Sequence, residues 1–478
     1  MDWFATGGSW LGRWLFTEGL AVLYAVAFLC AANQFRALLG TNGLLPIPRY
    51  LRGTRFRRSP SLFHLHYSDR FFAAVAWTGA GLAVLTAAGL TARLPLGLCM
   101  LVWFAMWLLY LSIVNVGQSW YAFGWESLLL EAGFLAVFLG NSATEAPLAV
   151  MIALRWLLFR LEFGAGLIKM RGDRCWRNLT CLYYHHETQP MPGPLSWYFH
   201  HLPGPLHRVE AAGNHVTQLV VPFLLFAPQP IAGAAAGLMI VTQLWLVASG
   251  NFSWLNWVAI VLATSVLPEP FLERVLPVAA PDTSPGPPAF AVSVAALTVA
   301  VVVLSYWPVR NLLGRRQLMN ASFNRWHLVN TYGAFGSITR VRMEVVIEGT
   351  TDTVPGPQSR WLEYEFKGKP GDPRRRPRQF APYHLRLDWL MWFAAISPSY
   401  ADTWFLAFVS KLLDNDRATL KLLRHNPFDD EPPTFVRARM YEYHFTDWRA
   451  RRATGAWWER ELVSEFLRPV TLGRAEHR

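Results

Sequence analysis

The sequence predicts a polytopic α-helical membrane protein of about nine spans, followed by a soluble, strand-rich α+β domain. Three observations carry this. The 478 residues are 53% hydrophobic and only 16% charged, whereas an ordinary soluble domain carries about 25% charged residues. Apolar runs of about 20 residues, the length needed to cross a bilayer, recur down to position 308. Beyond Arg310 the pattern changes to alternating apolar and polar residues. The expected division is a transmembrane part, 1–309, and a C-terminal domain, 310–478.

Taken in order, the expected spans are 14–37, 71–91, 94–116, 120–140, 147–168, 214–228, 230–250, 252–268 and 288–308. The first has no cleavage signal and reads as an uncleaved anchor. The stretches 214–228 and 252–268 are short for full crossings and suit tilted or re-entrant segments. Twenty-three tryptophans suit interfacial belts. With nine spans, the loop 38–70, the loop 169–213 and the C-terminal domain share one side. After Arg310, the segments 340–348, 361–367 and 437–445 alternate as half-exposed strands do. The stretches 383–395 and 402–424 read as helices.

The net charge is +12, almost all of it arginine. Spread over the loops of a membrane protein, it points to anionic lipid rather than nucleic acid. Arginine over lysine, with abundant alanine and proline, points to a GC-rich bacterial genome and hence a bacterial cell membrane.

The most informative residues are charges inside apolar helix. Glu126 and Glu131 fall in WYAFGWESLLLEAGFLAVFLG; Arg155, Arg160 and Glu162 fall in APLAVMIALRWLLFRLEFGAGLI, which runs into Lys169. A charge at the bilayer centre costs about 2.5–3.5 kcal/mol on insertion scales, so such residues pair, line a polar cavity or do chemistry. Glu126 or Glu131 is expected to neutralise Arg155 or Arg160. Arg155, Glu162 and Lys169 repeat every seven residues and share one helix face. Lys169 either snorkels to headgroups or is held inward by Glu162. A desolvated lysine would also be a candidate base, with Glu162 as its auxiliary.

Cys175 and Cys181 form a disulfide on an oxidising side or stay free thiols on a reducing one; the sequence leaves both open. Six histidines between His185 and His215 lack HExxH or finger spacing, so no metal is assigned. No Walker loop, GxSxG or kinase motif occurs, and no cofactor is expected. The basic loop KGKPGDPRRRPRQF (367–380), with Arg374, Arg375 and Arg376, is either a solvated loop or a contact for headgroups or an acidic partner.

Long strings in both halves resemble the lipase maturation factor family: VNVGQSWYAFGWESLLLEAGFLA (114–136), GLIKMRGDRCWRNLTC (166–181) with HHETQPMPGP (185–194), and SGNFSWLNW (249–257). Beyond them lie FNRWHLVNTYGAFGSITRVRMEVVIEGT (323–350), WLEYEFKGKPGDPRRRP (361–377), APYHLRLDWLMWFAA (381–395), SPSYADTW (397–404) and HNPF (425–428). The resemblance implies a multi-pass membrane protein that helps secreted, lipase-like client proteins mature. In animals the family resides in the endoplasmic reticulum, with the C-terminal domain in the lumen carrying client contact. Asn330, Tyr332, Arg374, Arg375, Arg376, Asp388 and Trp389 are the residues it offers for client or lipid contact. It places the C-terminal domain on the non-cytoplasmic side, against the positive-inside rule. Gly368 and Arg378 stand where animal members have cysteines, so that disulfide is absent here. A more distant similarity to vitamin K-dependent gamma-carboxylase-type membrane proteins implies the rival class, an enzyme using Lys169 as base. Lipid binding in the charged cavity is the third.

Overall fold

A computed structural model describes residues 9–472. Among them, five helices are long and apolar enough to cross a membrane: Trp10–Leu38, Asp69–Ala87, Leu96–Val116, Ile231–Ser249 and Pro288–Leu313. A sixth candidate is the pair Leu255–Thr264 and Glu269–Val275, bent by 109°. Large apolar side chains face outward on these helices, Val292, Val299 and Val302 among them, which is what a lipid-facing surface requires. The protein is therefore a multi-pass membrane protein; five or six of the nine expected spans qualify among the described residues, and the count of nine is not confirmed.

The differences have local causes. The stretch expected to cross at 120–140 forms a helix only over Gly124–Ala136. Its 13 residues rise about 20 Å, short of a hydrocarbon core about 30 Å thick. The stretch 214–228 is the end of a longer, polar helix, Gly204–Leu219, broken from Val221–Leu224 at Val220. The stretch 252–268 turns sharply before Pro268. The parity argument for sidedness falls with the span count. Leu148–Arg171, at 24 residues, has spanning length, about 36 Å, and carries the charges described below.

Small residues let these helices pack closely. Gly79 sits under the Phe28 ring and Gly133 under the Tyr24 hydroxyl, leaving no room for a Cβ at either position. Tyr24 donates to the Leu129 carbonyl at 3.1 Å. The helix Asp69–Ala87 begins on an N-cap, Ser68, whose hydroxyl accepts from the Phe71 amide at 3.1 Å.

The strands after Arg310 are β1 (Arg342–Thr350), β2 (Leu362–Glu363), β3 (Glu365–Phe366), β4 (Leu423–His425), β5 (Phe435–Phe445) and β6 (Trp458–Val470). Four form an antiparallel sheet in the order β2-β1-β5-β6, with Val345 opposite Met440 in its centre; β3 and β4 pair separately. The helix Arg386–Ile396 packs on β1. The expected strands at 340–348 and 437–445 fall within a residue or two of β1 and β5. The 13-residue edge strand β6 was not anticipated. Its sequence, WERELVSEFLRPV, is rich in glutamate and leucine, which favour helix.

Between the last span and the sheet, the chain runs back along the helices. Gln317 donates to the Gly164 carbonyl at 2.9 Å, and the Asp173 amide to the Gly336 carbonyl at 2.8 Å. The segment 169–213 packs directly beneath the sheet: Arg342 donates to the carbonyls of Glu187 and Pro190, at 2.8 and 3.1 Å, and Trp197 to that of Thr446 at 2.8 Å.

Candidate functional site

The buried charges are neutralised by groups that converge from distant parts of the chain. Glu131 and Arg160 form an ion pair with both side chains at most 4% exposed. Glu131 Oε2 also accepts from the Asn330 amide (2.9 Å), the Asn330 side chain (2.9 Å) and the Tyr332 hydroxyl (2.7 Å). Arg160 in turn donates to the Asn330 carbonyl at 2.5 Å. Both carboxylate oxygens of Glu131 are thus engaged, which is what makes a buried pair tolerable.

Glu126 pairs with neither Arg155 nor Arg160. Its partner is Arg386, whose Nη1 lies 2.7 Å from Glu126 Oε1 with both side chains fully buried. Tyr110 donates to the second oxygen at 2.5 Å. Arg386 also donates to the Trp120 carbonyl at 2.6 Å and stacks 3.4 Å from the centre of the Tyr121 ring. Arg155, half-buried, donates to the Leu225 carbonyl at 3.1 Å. No carboxylate pairs with it among the described residues. Its long stem reaches the C-terminal end of the short helix Val221–Leu224, where the Leu225 carbonyl takes the charge in place of an acid.

Glu162 and Lys169 line a cavity of about 720 Å³. Lys169 donates to Asn214 Oδ1 at 2.8 Å and Gln218 Oε1 at 2.9 Å, with its ammonium 4.9 Å from the Trp176 ring centre. The Gln218 amide group then donates to Glu162 at 3.2 Å. Gln243 donates to the other Glu162 oxygen at 2.6 Å, and Asn256 to Gln243 at 2.6 Å. Glu162 and Lys169 share the cavity, and Arg155 is not among its lining residues. Lys169 is 6% exposed. It does not snorkel; a polar chain from Asn256 to Asn214 holds it inward.

The cavity is amphipathic. Its polar floor is that chain, and its roof includes Phe335, Trp389 and Trp392 from the C-terminal part. Leu206, Val209 and Val241 line it and are also 50–67% exposed, so its walls continue into the outer apolar surface. His185 lines it too, at 8% exposure. Such a chamber fits a molecule with a polar head and an apolar body.

The expected contact residues divide. Asn330, Tyr332, Asp388 and Trp389 are at most 3% exposed, so they are corrected from surface contacts to internal structure. The first two cap Glu131, Trp389 roofs the cavity, and Asp388 accepts from the Gly368 amide at 2.5 Å. Burial pushes the Asp388 carboxyl up to about 6. Arg374 and Arg376 are exposed, while Arg375 is tied to Glu365 at 3.0 Å. Cys175 and Cys181 are joined in a disulfide. Sequence reasoning missed Arg386, which sits in a helix that reads as soluble. It also missed Gln218, which lies among the polar neighbours Asn214, His215 and Thr217, and Gln243, although Gln243 is a polar residue in an otherwise apolar run, the same signal that singled out Glu162.

Comparison with known proteins agrees with this architecture. The family model "Lipase maturation factor transmembrane domain" matches residues 11–274, and "Lipase maturation factor C-terminal domain" matches 328–468. The chain is 42% identical to bovine Lipase maturation factor 1, over 97% of this chain and 90% of that protein. It is 41% identical to the human protein of that name, over 98% and 89%. It is 28% identical to human Lipase maturation factor 2, over 98% and 83%. No solved structure matches. With the sheet and the helices both matched along nearly their whole length, the chain belongs to the lipase maturation factor family.

Proposed function

We propose that this chain is a membrane-anchored maturation factor for secreted client proteins of lipase type, with the C-terminal sheet as the client platform. The observation that carries the reading is the likeness to Lipase maturation factor 1 across both parts of the chain, at 42% identity. The geometry supplies a means. Strand β6 has no strand beyond it among the described residues, and Leu462 and Val463 on it are 48% and 52% exposed. An edge strand of 13 residues offers unpaired backbone groups to an incoming extended segment. The Cys175–Cys181 disulfide favours an oxidising side for the segment 169–213 and for the sheet packed on it: the endoplasmic reticulum lumen, or the outer face of a bacterial cell membrane. The parts 1–309 and 310–478 would then act as one welded unit. A photocrosslinker at Leu462, in cells co-expressing a secreted lipase, should capture the unfolded lipase and not the mature enzyme. Capture of neither, with the fold intact, removes β6 as the platform.

The amphipathic cavity favours a second role beside the first, the binding of a membrane lipid with its head against Lys169 and Gln218. Native mass spectrometry of the protein from its own membrane tests it: a bound lipid lost on Val241→Trp supports the role, and an empty parent protein counts against it.

A further inference from the structure

Three side chains outside the Lys169 network converge on one point. The helix Leu182–Thr188 brings His186, and the helix Gly204–Leu219 brings His207 and Glu210, three residues apart on one face. His186 Nε2 lies 3.5 Å from Glu210 Oε2, and His207 Nδ1 lies 3.8 Å from the same oxygen. All three atoms fall within 4.8 Å of one another. None of them has a hydrogen-bond partner among the described residues, although both histidines are 2% exposed.

The far side of each group explains why they stay unsatisfied. His207 Nε2 lies 3.3 Å from the His200 carbonyl. A carbonyl only accepts, so this nitrogen carries a ring hydrogen, and in the neutral ring Nδ1 then presents a lone pair. Glu210 Oε1 accepts from Trp245 Nε1 at 2.8 Å, which fixes the carboxylate and aims Oε2 at the histidines. With a neutral His207 ring, two acceptors, His207 Nδ1 and Glu210 Oε2, face each other 3.8 Å apart. Neutral His186 placed with its hydrogen on Nδ1 adds a third lone pair. An unsatisfied acceptor cluster of this kind is costly when buried. A cation at its centre would satisfy all three at once.

We propose that His186, His207 and Glu210 form a binding site for a divalent transition-metal ion of zinc type. Ligand bonds to zinc of about 2.0–2.2 Å imply ligand-to-ligand separations of about 3.4 Å in a tetrahedron, close to the 3.5 and 3.8 Å observed. The outer hydrogen bonds, from the His207 ring to the His200 carbonyl and from Trp245 to Glu210, are the kind that orient metal ligands. Glu210 also lines the large cavity, so the ion's remaining coordination position belongs to the cavity wall, open to water or to a ligand's oxygen. Sequence spacing concealed the site because His186 lies 21 positions before His207 and the pair belongs to no finger or HExxH pattern.

The test is metal binding by the full-length protein in detergent, stripped with a chelator and titrated with Co²⁺ and Zn²⁺. The expected results are one Co²⁺ per chain with visible d–d absorption, its displacement by Zn²⁺, and a higher melting temperature with Zn²⁺. Glu210→Gln keeps the side-chain shape and the acceptor for Trp245, and should weaken Co²⁺ binding by about tenfold to a hundredfold or more, the range already seen when only an outer-shell partner of a metal is lost. His207→Ala should abolish the spectrum. His201→Ala, next to the cluster and outside it, should change neither. A folded parent that binds no Co²⁺, or one whose Co²⁺ spectrum survives both Glu210→Gln and His207→Ala, would overturn the proposal.

Discussion

Arg386, from the helix that packs on the C-terminal sheet, places its guanidinium 2.7 Å from Glu126 of the membrane part, and neither side chain is exposed. The two residues are 260 positions apart. This contact, with Arg342 gripping the carbonyls of the segment 187–190, makes the sheet and the helix bundle a single load path rather than two tethered bodies. The weld has an energetic sign. Removing one partner of a buried ion pair costs about 3–5 kcal/mol, because the other charge is left in a medium that cannot solvate it. Arg386→Leu should therefore sharply reduce the yield of monodisperse protein and lower its melting temperature. Adding Glu126→Leu should recover part of the loss. Single and double variants that melt alike would show that the pair contributes nothing.

The arginines of the Leu148–Arg171 helix should differ in the same assay. Arg160 answers Glu131, whereas half-buried Arg155 answers only a carbonyl. Arg160→Leu is expected to be as damaging as Arg386→Leu, and Arg155→Leu to cost about 1 kcal/mol, the scale of one hydrogen bond. Equal losses would contradict the assignment of partners.

These two pairs mark what was legible in the sequence. Glu126, Glu131 and Arg160 announced themselves as charges in apolar helix, and the need for partners followed from solvation alone. The partner of Glu126 did not. Arg386 lies in RLDWLMWFAAI, a segment that reads as an ordinary amphipathic helix, and only the tertiary fold brings it to the bundle. The full count of nine spans is not confirmed for a related reason. Gly124–Ala136 is as apolar as a span because it is buried in protein on every side, and hydropathy does not separate protein interior from lipid. Strands β1 and β5 were readable because one face is core and the other is not; β6, an exposed edge, carries no such alternation. The cavity was half legible, with Glu162 and Lys169 visible by spacing, Gln218 lost among polar neighbours on its helix and Gln243 alone in an apolar one.

Asp388 gives the fold a pH dependence of defined sign. Burial raises its carboxyl from the ordinary 3.8 to about 6, so the neutral form is favoured in the native state. Its contribution is full below about pH 4 and is lost as pH rises through 6, a change of about 3 kcal/mol. Asp388→Asn keeps an acceptor for the Gly368 amide and removes the titration. The melting temperatures of parent and Asp388→Asn should coincide near pH 4 and separate by pH 7, with the asparagine variant the more stable. A separation independent of pH would refute the burial argument.

Sidedness is testable without knowing the client. Asn178 and Arg374 are both exposed, one in the segment 169–213 and the other in the basic loop. Cysteines introduced at either position should react with a membrane-impermeant maleimide from the non-cytoplasmic side only. Opposite accessibility at the two sites is incompatible with the packed joint, and labelling of both from the cytoplasm is incompatible with the proposed orientation.

The central claim, maturation of a secreted client without chemistry at Lys169, is tested most directly by the specific activity of a secreted lipase in cells lacking their own maturation factor, complemented with this chain or its Lys169→Arg variant. Arginine preserves the charge opposite Glu162 but is not a titratable amine at physiological pH. The account predicts that the parent restores active lipase to the medium, that Lys169→Arg restores it to within about twofold, and that both proteins melt alike. A variant that melts like the parent yet releases no active lipase would contradict the non-enzymatic reading, and a well-folded parent that restores nothing would contradict the function itself.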